Sequence, residues 1–153
     1  MWFRRDLRLD DNPALTTARD HGDGPLICLY IYETDDTHRP LGGASKWWLD
    51  KSLRSLANDI EERGGKLILR KGKGEETLNE VIEETGAKAV FWNRRYDKAG
   101  IDIDKAIKSD LKDKDIHVES FNGTVLTEPW TQQTKSGGYY KVFTPYWKNV
   151  RAS

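Results

Sequence analysis

Charged and aromatic side chains gather in three short stretches of this chain. The first, Arg4–Asp11, carries Arg4, Arg5, Asp6, Arg8, Asp10 and Asp11 directly after the apolar pair Trp2-Phe3. The second, Tyr32–Trp48, opens on Tyr32 and Glu33 and closes on Lys46, Trp47 and Trp48. The third, Asn93–Gly100, holds Arg95, Tyr96 and Asp97. Together with Tyr30 they offer flat apolar faces (Tyr30, Tyr32, Trp47, Tyr96), cations (Arg5, Lys46, Arg95) and anions (Asp10, Glu33, Asp97). That mixture suits a planar heterocycle with polar edges. A charge run taken alone has a plainer reading, in which its members pair with one another in water, and exposed pairs of that kind contribute little.

Other chemistries find no support in the residue pattern. His21, His38 and His117 fall at a helix end, in a loop and on an edge strand, and nothing spaces them as metal ligands. No G-x-S-x-G or H-E-x-x-H occurs, so no catalytic or metal-binding residue is assigned. The first loop lacks glycine, whereas a dinucleotide fingerprint needs it for close backbone approach to a pyrophosphate. The run KGKGEET at Lys71–Thr77 precedes a helix, whose N-terminus would suit a phosphate. It lacks the GK[ST] of a P-loop, so Gly72 and Gly74 are read as turning the chain.

Composition narrows the class further. A chain of 153 residues fits one domain with a real core. Its 25 basic and 25 acidic residues leave no formal charge, against the basic excess that non-specific nucleic-acid binding requires. The single cysteine, Cys28, precludes an internal disulfide and suits a reducing, cytoplasmic location. No apolar run approaches the ~20 residues of a membrane-spanning helix.

The elements that must position the three stretches follow from periodicity. Trp2-Phe3 ends a strand, and Asn12-Pro13 is an N-cap followed by a first-turn proline, starting a helix to His21 that Gly22 closes. Leu26–Tyr32 is apolar without alternation, as in a strand covered on both faces. In Gly42–Gly65 a long helix, capped by Ser45, carries the stripe Leu49, Leu53, Leu56, Ile60. Trp47 points roughly 200° away from that stripe, toward either a covering loop or a ligand. Lys66–Arg70, Ala87–Trp92 and Ile116–Ser120 read as strands, the last an edge strand. Helices are expected over Glu75–Thr85 and from after Gly100 to Asp113, the second burying Ile103, Ala106, Ile107 and Leu111. Such alternation implies a parallel sheet with helices on both sides, and the three stretches all follow parallel strands, where ligand sites form. From Phe121 onward the periodicity fails, and aromatic and turn residues dominate.

Four runs carry a resemblance: WFRRDLRLDDNPAL at Trp2–Leu15, GGASKWWLDKSL at Gly42–Leu53, WNRRYD at Trp92–Asp97 and GGYYKVFTPYWK at Gly137–Lys148. Their order across nearly the whole chain is similar to the amino-terminal α/β domain of the DNA photolyase/cryptochrome family. The resemblance implies a Rossmann-like five-stranded parallel sheet in the order 3-2-1-4-5, with helices on both faces. It divides the chain into an α/β domain, 1–121, and a segment, 122–153, leading to a helical FAD domain. Only Met1–Phe3 precede the first charged loop, where the family has several more residues. The first strand is therefore expected to be short, or its coding start to lie upstream.

What the resemblance implies for function is an antenna chromophore bound by Arg5, Asp10, Tyr32, Glu33, Lys46, Trp47, Arg95 and Gly100. Folate-binding members place Asn-Glu where Ala99-Gly100 stand here. Deazaflavin binders match Gly100 and have a basic residue at Lys46, although they carry a smaller residue at Trp47. The resemblance thus favours 8-hydroxy-deazaflavin over methenyltetrahydrofolate, with an unfilled site as the remaining alternative. The intact enzyme would use light and reduced FAD, held in the helical domain, to split cyclobutane pyrimidine dimers in damaged DNA. These residues alone would be inert and bind DNA weakly. A cryptochrome-type light sensor and a free-standing nucleotide-binding module are the alternatives. The tail Thr134–Ser153 is expected to be partly disordered or to drive self-association, because its aromatic residues lack the helical domain.

Overall fold

In a computed structural model, which describes residues 1–22, 24–34, 40–134 and 136–152, strands and helices alternate along the chain. His38 lies outside the described residues, as do Lys135 and Ser153 of the tail. The elements are β1 (Trp2–Phe3), α1 (Pro13–Asp20), β2 (Cys28–Glu33), α2 (Gly43–Glu61), β3 (Leu67–Gly72), α3 (Gly74–Thr85), β4 (Ala89–Asn93), α4 (Lys98–Asp113), β5 (His117–Phe121) and α5 (Phe143–Val150). The fold is α/β with parallel strands. One ladder runs β1-β2-β3 and a second joins β4 to β5.

Those ladders are the 3-2-1 and 4-5 portions of the expected order. They are separate sheets, because no ladder joins β1 to β4 among the described residues. β1 has only two residues, whose ladder partners are Leu29 and Tyr30 of β2. The seam is bridged by side chains instead. Trp2 and Trp92, both fully buried, meet edge to face at 5.9 Å.

Alternation along β2 divides the core. Leu29 and Ile31 point to one face, where Leu78, Val81 and Ile82 of α3 and Ile107 and Leu111 of α4 cover them. Cys28 and Tyr30 point to the other, against Ala14 of α1 and Leu56 and Ile60 of α2. Helices therefore cover both faces, and the apolar run in β2 is explained by double coverage.

Asn12 caps α1 as its sequence implies, accepting a hydrogen bond from the Leu15 amide at 3.2 Å with Pro13 at the first position. Three local expectations are corrected. The C-cap of α1 is His21 in right-handed conformation, so Gly22 supplies no left-handed stop. The N-cap of α2 is Gly42, three residues before Ser45. Ala106 is exposed, because the buried stripe of α4 runs Gly100, Asp104, Ile107, Leu111. Gly86 closes α3 at φ 67°, a conformation in which a side chain would clash with its own backbone.

Beyond β5 the chain folds back on the domain before α5. The Arg94 guanidinium pairs with Glu128 and lies 6.0 Å from the Trp130 ring, while Asn149 donates to Gln132 at 2.6 Å. Tyr139, Phe143 and Trp147 stay exposed.

Candidate functional site

The carboxyl ends of β1, β2 and β4 meet in a network of buried charge. Arg4, the first residue after β1, donates to both carboxylate oxygens of Asp104 at 2.6 and 3.0 Å and to the Asn93 carbonyl. Its guanidinium lies over the Trp2 ring at 4.9 Å and the Trp92 ring at 5.7 Å. Trp92 donates its indole N–H to Asp104 at 3.0 Å. Arg95 reaches the same carboxylate at 3.1 Å and grips Glu33 at 2.8 and 3.1 Å. Asp6 accepts the Arg4 amide at 2.7 Å and the Asn93 side-chain amide at 2.6 Å. The first charged loop therefore does not simply pair within itself: Arg4 and Asp6 turn inward and tie the ends of β1 and β4 together, and Arg95 adds Glu33 at the end of β2.

The electrostatics follow from burial. Burial pushes the Asp104 carboxyl up, but the hydrogen bonds and charges of Arg4 and Arg95 outweigh it and hold it below the ordinary carboxylate range. Burial pushes the Arg4 guanidinium down, opposed by Asp104. The Tyr30 phenol is pushed up to about 12, mainly by burial and then by the Glu33 charge.

Above this network opens a cleft of about 890 Å3. Arg4–Arg8 form one wall, Tyr30–Thr34 the floor, and Ser45, Trp48, Leu49 and Ser52 of α2 the other wall, with Arg95 at the back. Ring faces and a carboxylate thus share one concavity with guanidinium groups. A Cβ at Gly74 would come within 2.6 Å of Glu33 Oε1, so the missing side chain lets that carboxylate approach the N-terminus of α3. The helix dipole favours an anion there. Glu33 thus already places a carboxylate beside Gly74 of the KGKGEET run.

Of the eight residues singled out in the sequence, Arg5, Tyr32, Glu33 and Arg95 line the cleft, and Asp10, Lys46, Trp47 and Gly100 do not. Asp10 is exposed beyond the wall, which ends at Arg8. The face that α2 (Gly43–Glu61) turns to the cleft is Ser45, Trp48, Leu49 and Ser52, at helical spacing. Lys46 and Trp47 fall between those positions, and Trp47 is 61% exposed with the Lys51 ammonium 5.7 Å from its ring. Gly100 sits inside the first turn of α4, against Arg95.

Tyr96 and Asp97 are also occupied otherwise. Tyr96 donates to Asn122 at 3.2 Å and lies 6.1 Å from Trp130, and Asp97 caps α4 by accepting the Gly100 amide at 2.9 Å. The residues that sequence reasoning missed are Arg4, Asp104, Asn93 and Trp48. Asp104 left a signal: it stands three and seven residues before Ile107 and Leu111, an acid inside a core stripe that must find a buried partner. Among the described residues no cluster of three or more His, Cys, Asp or Glu is placed to hold a metal, and no helix is long and apolar enough to cross a membrane.

Comparison with known proteins gives this geometry a context. The family model described as DNA photolyase matches residues 1–153. The deoxyribodipyrimidine photo-lyase of Agrobacterium fabrum is 50% identical over 153 residues, which are 100% of this chain and 31% of that protein. Cryptochrome-2 of Arabidopsis thaliana is 36% identical over 149 residues, 97% of this chain and 24% of that protein. Among solved structures, a bacterial class III photolyase from Agrobacterium tumefaciens superposes with a TM-score of 0.92 at 51% identity, covering 99% of this chain and 31% of that one. An archaeal photolyase from Sulfolobus tokodaii, solved with two FAD molecules, has a TM-score of 0.73 at 22% identity over 99% of this chain and 34% of its own, a likeness of fold. The chain spans about a third or less of the length of the relatives named here.

Proposed function

Because the chain belongs to the DNA photolyase family and matches its amino-terminal domain, we propose that the strand-end cleft binds an antenna chromophore. The observation that carries this reading is the cleft itself. Tyr30, Tyr32 and Trp48 offer ring faces, Glu33 offers carboxylate oxygens to ring N–H groups, and Arg5 offers donors to carbonyl edges. These residues fit a planar tricyclic or bicyclic heterocycle. An 8-hydroxy-deazaflavin is the favoured occupant and methenyltetrahydrofolate the competitor. The bound group would absorb light and pass its excitation onward; this chain's residues hold and orient it and keep water from its ring. We assign no catalytic residue to these 153 residues.

Fluorescence titration of this chain with each chromophore tests the reading. Saturable binding of the deazaflavin, weakened by Trp48→Ala and Glu33→Ala, is the expected result. No binding of either chromophore would refute it.

In the longer protein, residues 122–153 lead to a helical domain that holds FAD, and light-driven splitting of pyrimidine dimers in DNA belongs to that whole. The five strands then form one sheet in the order 3-2-1-4-5, for which the shared core at Trp2 and Trp92 is the support. The exposed rings of Tyr139, Phe143 and Trp147 mark the surface that the helical domain covers. Without it, this chain self-associates. Sedimentation at several concentrations should show mass rising with concentration, and a strict monomer would refute that part.

A further inference from the structure

Gly100 was singled out as a ligand contact, and its surroundings give it a different task. It sits in the first turn of α4, does not line the cleft and is itself buried. A Cβ built on it would lie 2.6 Å from Arg95 Cβ, 3.1 Å from Arg95 Cδ and 3.0 Å from Asp97 Oδ2. Real Cβ atoms do not approach another carbon at 2.6 Å. The obstacle is also not a flexible tip, because Arg95 Cβ is fixed to the backbone that leaves β4. Any side chain at position 100 must move the base of Arg95.

The far end of that arginine has little freedom to compensate. Its side chain is 5% exposed, and its terminal nitrogens hold Glu33 at 2.8 Å and Asp104 at 3.1 Å. Its Nε is buried without a hydrogen-bond partner, so the guanidinium is held from its terminal side alone. A displaced stem therefore disturbs the Glu33 contact, and Glu33 is the acid of the cleft floor.

We propose that Gly100 is a positioning residue: it leaves room for the stem of Arg95, which sets the Glu33 carboxylate that a planar heterocycle meets in the cleft, and it does not touch that ligand. The ligand half of this statement rests on the antenna reading above; the hold on Arg95 does not.

The test pairs Gly100→Ala with Arg95→Gly, which removes the atom that the new Cβ would strike. Two readouts are used on the 153-residue chain: the side-chain Nε–Hε NMR signal of Arg95, and fluorescence titration with 8-hydroxy-deazaflavin and with methenyltetrahydrofolate. Gly100→Ala should shift the Arg95 signal and weaken deazaflavin binding about tenfold, the size of one charged hydrogen bond. It should also change the ratio of the two affinities. In the Arg95→Gly background the same substitution should change affinity less than about twofold, since distinct causes add and a shared one does not. An equal loss in both backgrounds would mean that Gly100 meets the ligand directly and would overturn the proposal. An unmoved Arg95 signal in Gly100→Ala would overturn it as well, whether or not either chromophore binds. Failure of the wild-type chain to bind either probe would sink the antenna reading, and the Arg95 signal would still decide the role of Gly100.

Discussion

The two ends of the strands are built on opposite principles. At the carboxyl ends, Arg4, Asp104, Arg95 and Glu33 form a continuous line of opposite charges, closed beneath by Trp2 and Trp92. At the amino ends, the gap between the two sheets opens into a cavity of about 350 Å3 whose lining includes Leu29, Leu78, Val81, Ile82, Ala87 and Val90. One end spends desolvation on fixed geometry, and the other leaves apolar surface incompletely packed. The ligand-facing end is thus fixed by buried ion pairs, whereas the gap at the other end is lined mainly by apolar side chains.

Removing a charge at the tight end should therefore do the most damage. Asp104→Ala strands Arg4 and Arg95 without their shared carboxylate, and breaking a buried pair in this way costs about 3–5 kcal/mol. Urea unfolding should show the loss, and a change under 1 kcal/mol would mean that the network behaves as a surface one.

The same group makes stability depend on pH. The native carboxyl of Asp104 is depressed, so its contribution is complete above the unfolded value near 3.9 and is lost as pH falls through the lower native value. Tyr30 acts at the other extreme. Its phenol is raised from 10.0 to about 12, so its contribution is intact below 10 and disappears as pH rises toward 12. Denaturant melts across both windows should show falling stability in each. In the alkaline one the phenolate absorbance of Tyr30 should appear late.

At the loose end the sign reverses. Ala87→Ile places apolar volume in the cavity and should stabilise by about 0.5–2 kcal/mol, as cavity filling does where space exists. A loss there would mean that the gap is already closed in solution. The smallest effects belong to charges outside both regions. Lys46→Glu and Lys71→Glu should each change stability by less than about 0.5 kcal/mol. They should also leave chromophore affinity within about twofold of each other, since neither lysine lines the cleft. A selective loss for Lys46→Glu would bring that residue back to the site.

How much of this was legible depends on whether a feature is local. Apolar runs, the Asn12-Pro13 helix start and the Gly86 stop are properties of neighbouring residues, and the elements they announce are present. The alternation of strands and helices carried the fold class and pointed to the strand ends where the cleft lies, and the ordered motifs carried the family. Partnerships across the chain were not readable. Arg4 meets Asp104 at a separation of 100 residues, and no periodicity reports that. Which face of α2 meets the cleft was not readable either, because Ser45, Trp48, Leu49 and Ser52 face it through the way the helix lies against the strands. Gly100 was noticed for what relatives place there, whereas its physical role lies in the arginine behind it.

The seam between the sheets has an optical consequence. Trp2 and Trp92 hold their indoles 5.9 Å apart at 71°. Both are almost wholly removed from solvent, and one guanidinium lies over both rings. Two aromatic oscillators at that spacing and tilt, frozen by surrounding side chains, form a chiral pair. Their coupling should appear as a couplet in the far-ultraviolet circular dichroism spectrum and fade if the seam opens. The molecule thus carries its own reporter at the junction that no ladder crosses among the described residues.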